Sequence, residues 1–255
     1  MKRLLMIFIS SAALFLAACN AATFEEEETY TLDATGIEHF VIQQDAGEVI
    51  ITGVEGTNEI KVSAKFVAES DEAILAEQIF ADKMDATLVK DGNTAYLTGE
   101  INFGESKEQG QLHLVVEIPN DLTIEHRQSE GPLTIRSMNA DITINHGTKS
   151  IVLEDINGDV KIVDGSGGLK MTNVVGLLTI NKNSGNIEMS DVDGDLTLIA
   201  GSADVNITSH RGNITLRSGS GDVIIDGVDG DVNLLASRKG TVEITNVTGT
   251  VTKPE

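Results

Sequence analysis

The chain has 255 residues, with 40 Asp and Glu against 18 Lys and Arg, a formal net charge of −22. Such a surface repels phosphate backbones and anionic headgroups, which argues against nucleic acid and against lying flat on an acidic membrane. One Cys excludes a disulfide framework, and an aromatic content of 4% with no Trp fits a thin core without room for large rings.

Residues 1–18 read as an export signal. Lys2 and Arg3 precede an apolar run from Leu4 to Ala18, too short for the roughly 20 helical residues that span a bilayer. The run ends Leu16-Ala17-Ala18-Cys19, which resembles the lipobox of bacterial lipoproteins. The resemblance implies cleavage before Cys19 and acylation of its sulfur and new amino terminus. A lone Cys in an exported chain asks for such an explanation, and several acyl chains make a stable anchor. The expected location is the cell envelope: the outer membrane in a Gram-negative host, the outer face of the plasma membrane in a Gram-positive one.

Residues 19–35 contain Glu25-Glu26-Glu27-Glu28. A run of like charge repels itself and extends, so this segment is expected to be a tether. Residues 36–119 read as an irregular β cap. Val49-Ile-Ile, Ile60 to Phe66, Ala95-Tyr-Leu and Leu112 to Ile118 carry strand patterns. Gly47-Glu-Val-Ile-Ile already has the form of the repeats that follow. A helix is expected over about 70–83, with Ser70 as cap, Asp71 and Glu72 in the first turn, and Leu75 and Ile79 on one face.

From residue 120 to 252 a fixed period takes over. Glycine recurs every nine residues at Gly158, Gly167, Gly176, Gly185 and Gly194, then Ala203, then Gly212, Gly221 and Gly230, and the phase slips by one to Gly240 and Gly249. Two and four residues after each marker stands an aliphatic residue or Met, as in Leu178/Ile180, Ile187/Met189 and Val223/Ile225, with mostly polar residues between. That alternation is a short strand with one dry and one wet face. The corners alternate too. Every second one is apolar at its seventh position (Met138, Ile156, Val174, Val192, Val228 and Val247, with His210 departing), and those between are Gly- or Ser-rich. The structural period is therefore 18.

No nonapeptide can bury its dry face alone, whereas stacked 18-residue coils bury all of them in one column. The predicted fold is all-β: a parallel β-solenoid of about six or seven coils, roughly 30 Å long. Lys253, Pro254 and Glu255 form a tail whose charges and missing N–H blunt edge pairing.

No HExxH, nucleophile elbow, phosphate loop or Cys pair is present. Stacking does convert sequence offsets into columns. His126 and His146 would share one slot of adjacent coils if the register holds across Pro132, with Asp164 next, and neighbours about 4.8 Å apart could share a metal. The apolar corner is acidic: Asp155, Asp159, Asp191, Asp193 and Asp195, then Asp229 and Asp231. Calcium favours oxygen-rich turns. The Gly-Gly-x-Gly-x-Asp motif of calcium-binding nonapeptides is absent, and the acids skip the coil at 173–177. No cofactor is expected beyond this calcium candidate. Glu188 and Asp226 face outward on one sheet, two coils and two positions apart, a poor match to the paired carboxylates of a polysaccharide-cleaving β-helix.

Gly-Asp-hydrophobic-x-hydrophobic units at nine-residue spacing, preceded by a helix-containing segment and the strand Val116-Glu-Ile-Pro119, resemble a bacterial family of unknown function labelled "putative adhesin". The resemblance spans about residues 37–252 and implies a β-solenoid without established activity. The expected function is non-enzymatic binding of a protein or polysaccharide partner at the envelope. The alternatives are a stress or scaffold component that self-associates through solenoid edges, and a polysaccharide-active enzyme.

Overall fold

The computed structural model describes residues 22–102 and 109–254; the signal segment, the lipobox and Cys19 lie outside the described residues. The chain opens with β1 (Ala22–Asp33), β2 (His39–Ala46), β3 (Val49–Val54) and β4 (Glu59–Ser70), then the helix α1 (Ala73–Lys83), then β5 (Met84–Asp91), β6 (Thr94–Ile101) and β7 (Gln109–Pro119). The array follows as β8 (Thr123–Glu130), β9 (Leu133–Met138), β10 (Ile142–Thr148), β11 (Ile151–Asn157), β12 (Val160–Ser166), β13 (Leu169–Val175), β14 (Leu178–Lys182) and β15 (Asn186–Asp193). It ends with β16 (Leu196–Ala200), β17 (Asp204–Arg211), β18 (Ile214–Ser218), β19 (Val223–Asp229), β20 (Val232–Ser237), β21 (Val242–Val247) and β22 (Val251–Thr252).

These strands form two 11-stranded sheets. From β8 onward, even-numbered strands stack in one sheet and odd-numbered strands in the other, every neighbour parallel. This is the β-solenoid expected from the period. Leu178 pairs with Leu196 and Leu196 with Ile214, each one coil on. At the apolar corner Val174, Val192, His210 and Val228 pile in one line. The one-residue slip at Gly240 is real: Val223 pairs with Val242, and the β18–β20 ladder carries a bulge after Leu216. Nearly every inward aliphatic side chain is buried, so one continuous core runs the length of the stack.

Two backbone requirements explain the period. A Cβ at Gly194, where φ is +145°, would lie 1.9 Å from the carbonyl oxygen of Gly176 one coil back, so the corner closes only on glycine. In the odd-numbered strands from β9 onward one residue per coil takes the left-handed conformation just before the inward corner residue. Ser137, Asp155, Asn173, Asp191, Ser209 and Asn246 have φ of 52° to 59°, and Gly227 fills the same slot. Short polar residues and glycine tolerate that conformation, and the kink turns the next side chain back inward.

The amino-terminal region departs from expectation in three ways. First, Glu25 to Glu28 are not a tether. They lie within β1, paired antiparallel with β4 along its whole length. The ladder, an ion pair of Glu25 with Lys65 at 3.0 Å, and packing of Phe24 on Phe80 outweigh the repulsion among the glutamates, which alternate faces. Second, α1 starts at Ala73, with Glu72 as an N-cap residue that makes no side-chain cap, and neither Ser70 nor the acids serve as expected. Its buried face is Ala76 and Ile79, whereas Leu75 is exposed. Third, β2 and β3 are a regular coil, not part of an irregular cap. They stack directly beneath β8 and β9, which come much later in the chain, with Phe40 on Ile124 and Val49 on Leu133. The intervening strands β4 and β7, with β1, extend one sheet, and the β5–β6 hairpin extends the other. With α1 they cover the end of the stack, as unpaired solenoid edges require.

Candidate functional site

The acidic corner forms an open groove of about 540 Å³ running along the stack. Its walls come from the left-handed column (Asn173, Asp191, Ser209, Gly227, Asn246) and from the strand ends two residues on (Val175, Asp193, Arg211, Asp229, Thr248). Its floor is the inward line Val192, His210 and Val228. Three carboxylates, one guanidinium, two amides and two hydroxyls thus line a rigid wall. Arg211 is committed to Asp193 at 2.6 Å, an exposed pair worth little by itself, so the groove remains net negative. Burial depresses the pKa of His210, with Asp195, Asp193 and the Gly194 backbone pulling the other way.

The acids proposed for calcium do not converge. Asp155 and Asp191 occupy the left-handed column, and Asp155 accepts from the Asn173 amide at 2.6 Å. Asp193 holds Arg211. Asp159 and Asp195 belong to a separate ladder just before the even-numbered strands, where each carboxylate accepts the backbone N–H of the residue one coil up: Asp141 from Asp159, Asp159 from Leu177 and Asp195 from Asn213, all at 2.8 Å. Asp204 and Asp222 do the same on the other sheet, and Thr241 holds the Asp222 carboxyl below the usual carboxylate range. The Asp of each Gly-Asp unit is therefore largely a backbone acceptor. Among the described residues no three His, Cys, Asp or Glu side chains converge as a metal site.

The histidine column is corrected. The 18-residue register holds across Pro132, but His126 and His146 are separated by one coil plus two positions, so they are not opposite one another. His126 pairs with Ile144 and Ile42, and His146 with Gln128 and Asp164. The rings still approach, with centroids 6.3 Å apart. Nor are these solvated corner residues. His126, His146 and Asp164 are all buried. His126 makes no hydrogen bond from either ring nitrogen, and burial, then the neighbouring His146, pushes its pKa down to about 3.

His146 and Asp164 belong to a polar column inside the core that the sequence reading missed. Gln44, Gln128, His146, Asp164, Lys182, Ala200 and Ser218 succeed one another at one register position of the even-numbered sheet, all buried. The sixth position after each marker shares the inward phase of the second and fourth, a signal the alternation already contained. At the centre His146 Nε2 faces the Gly131 carbonyl at 2.8 Å, His146 Nδ1 meets Asp164 Oδ1 at 3.1 Å, and Lys182 Nζ donates to Asp164 Oδ2. The side chains of all three have no solvent exposure.

No family model and no curated protein matches this chain. Among solved structures it is similar to a "putative cell adhesion protein" from Clostridium sporogenes, at 11% identity over 87% of this chain and 99% of that one, with a TM-score of 0.37. A second similar structure is a "putative adhesin" from Bacteroides fragilis, at 10% identity over 89% of this chain and 97% of that one, with a TM-score of 0.32.

Proposed function

We propose that this chain is a non-enzymatic, adhesin-like binding module held at the cell envelope through acylated Cys19, and that its acidic corner groove takes a Lys- or Arg-bearing segment of a protein partner. The observation that carries this reading is the groove itself: three carboxylates, from two of its five coils, set among amides and hydroxyls along a rigid wall, without the aromatic platform on which a sugar ring would stack. Glu188 and Asp226 lie two coils and two positions apart, and Asp226 is engaged by Thr245 and Asn246, so the pair offers no acid–base arrangement for glycoside cleavage.

The test is calorimetric titration with oligolysine beside a panel of neutral oligosaccharides, in the wild type and in the double variant Asp191→Asn, Asp229→Asn. Salt-sensitive oligolysine binding, about tenfold weaker in the variant, supports the reading. Equal binding by both proteins overturns the groove assignment, and binding of oligosaccharides alone moves the partner to the polysaccharide class. Anchoring is checked by palmitate labelling, which the Cys19→Ala variant must lose.

The far end of the stack favours a second reading. Among the described residues β21 and β22 pair on one side only, and Val242, Ile244 and Val247 are incompletely covered. End-to-end self-association would bury them and would show as mass rising with concentration in light scattering.

A further inference from the structure

The buried His146–Asp164–Lys182 contact has no role in the groove and none in metal binding, yet it places an amine against a carboxyl group in a dry core. The three residues stand directly opposite one another on β10, β12 and β14, so the strand ladders hold them in line. Flanking positions in the column are Gln128 and Ala200, which bring no charge. Gln128 spends its amide on the Gly47 and Glu130 carbonyls. A buried ion pair is a poor way to stabilise a core, and the same slot two coils from Asp164 is filled by Ala200.

Hydrogen-bond logic narrows the proton positions at the centre. The Gly131 carbonyl can only accept, so His146 Nε2 carries a hydrogen. Nδ1 then has a proton between itself and Asp164 Oδ1 either as imidazolium or by accepting from a carboxylic acid. One arrangement compatible with these contacts carries no formal charge on any of the three groups: neutral imidazole, a carboxylic acid at Asp164 and the free amine of Lys182. That is a nucleophile beside a carboxyl carbon, with a proton acceptor in contact with the carboxyl group.

We propose that Lys182 and Asp164 become joined by an intrachain amide bond, with His146 relaying the proton. Lys182 Nζ attacks Asp164 Cγ and the N–C bond forms. His146 Nδ1 carries one proton from the nitrogen to Oδ1, the Cγ–Oδ1 bond breaks, and Oδ1 leaves as water. One carboxyl and one amine give one amide and one water, with no oxidant or other reactant. Positioning replaces external activation: the partners are fixed by the ladders, and effective concentrations in such settings far exceed those in solution. The product ties adjacent coils and shields residues 165–181 from extension when the chain is pulled from its ends.

The test is tryptic mapping of the full chain by tandem mass spectrometry. Cleavage after Lys161 and Lys170 releases a peptide holding Asp164, and free Lys182 permits cleavage before Asn183. A cross-linked chain instead yields peptide 162–170 joined through Lys182 to peptide 171–211, lighter than the sum by one water. Lys182→Arg keeps a long nitrogen-donor side chain but removes the nucleophilic amine, and must release both peptides at their ordinary masses. His146→Gln keeps a polar group in the slot and must lower the cross-linked fraction at least severalfold. Peptide 171–182 recovered at its ordinary mass from all of the wild-type protein overturns the cross-link. Full cross-linking in His146→Gln overturns the relay.

Discussion

The Asp195 carboxylate accepts the backbone N–H of Asn213, its neighbour one coil up, at 2.8 Å, and the Asn213 side-chain oxygen in turn accepts the N–H of Asp231 at 3.1 Å. The same slot thus works with a charged or a neutral acceptor. What the ladder needs is an oxygen at that point, because the N–H that opens each strand has no partner in its own coil. Asp195→Asn is expected to leave stability within about 0.5 kcal/mol of wild type, whereas Asp195→Ala should cost about 1 kcal/mol. Urea unfolding of the two variants checks this. A large loss in Asp195→Asn would show that charge, and not the acceptor, matters there.

Asp191 and Gly227 make the same point for the backbone. Both occupy the left-handed column, at φ of 55° and 74°. Asp191→Gly should therefore be nearly neutral in stability. Asp191→Val places a β-branched side chain where the conformation costs about 1–2 kcal/mol even for an unbranched one, so a drop of about 2 kcal/mol is expected. Thermal unfolding of the two variants separates backbone conformation from the lost carboxylate, which both lack.

Much of this was legible in the sequence because every array contact repeats at one offset. A Gly-Asp-Val-Ile-Ile unit meets its neighbour one full coil away, so marker glycines, inward pairs and alternating corners print the stacking directly. The seat of β2–β3 beneath β8–β9 was not legible, since β4 to β7 interrupt the period and nothing local to Gly47 records so long a jump. The acidic run hid β1, because charge was weighed without the ladder that β4 supplies. The column through His146, Asp164 and Lys182 was hidden differently. Its residues carry the inward phase, but polar side chains at a Gly-rich corner suggest solvent, and only the ladder shows that they point into the core.

Gly194 and Gly56 are expected to respond differently to the same change. A Cβ at Gly194 overlaps the Gly176 carbonyl at 1.9 Å, and relief requires two coils to part. Gly194→Ala should cost more than about 3 kcal/mol, in the range reserved for specific structural conflicts. A Cβ at Gly56 meets nothing within 4 Å, and its φ of +73° alone sets the penalty, about 1 kcal/mol. Because each coil is stabilised by its neighbours, the Gly194 variant should also expose amides of β14 to β17 in hydrogen exchange. Equal losses in the two variants would remove close packing as the reason for the nine-residue glycine period.

His126 makes the fold sensitive to mild acid. It is buried between Ile42 and Ile144, and its pKa falls from the ordinary 6.5 to about 3, while burial also lowers those of His113 and His210. The unfolded chain then binds more protons than the folded one between about pH 6.5 and pH 3, so the contribution to stability is fully present above that window and is lost as pH falls through it. At pH 5 the His126 share is up to about 2 kcal/mol, from 1.36 kcal/mol per unit. His126→Leu continues the aliphatic row and removes the titration. It should flatten the pH dependence of urea unfolding between pH 7 and 5 and leave the variant more stable than wild type at pH 5. Parallel curves for the two proteins would mean that His126 is solvated or partnered, and that the acid sensitivity arises from His113 and His210 instead.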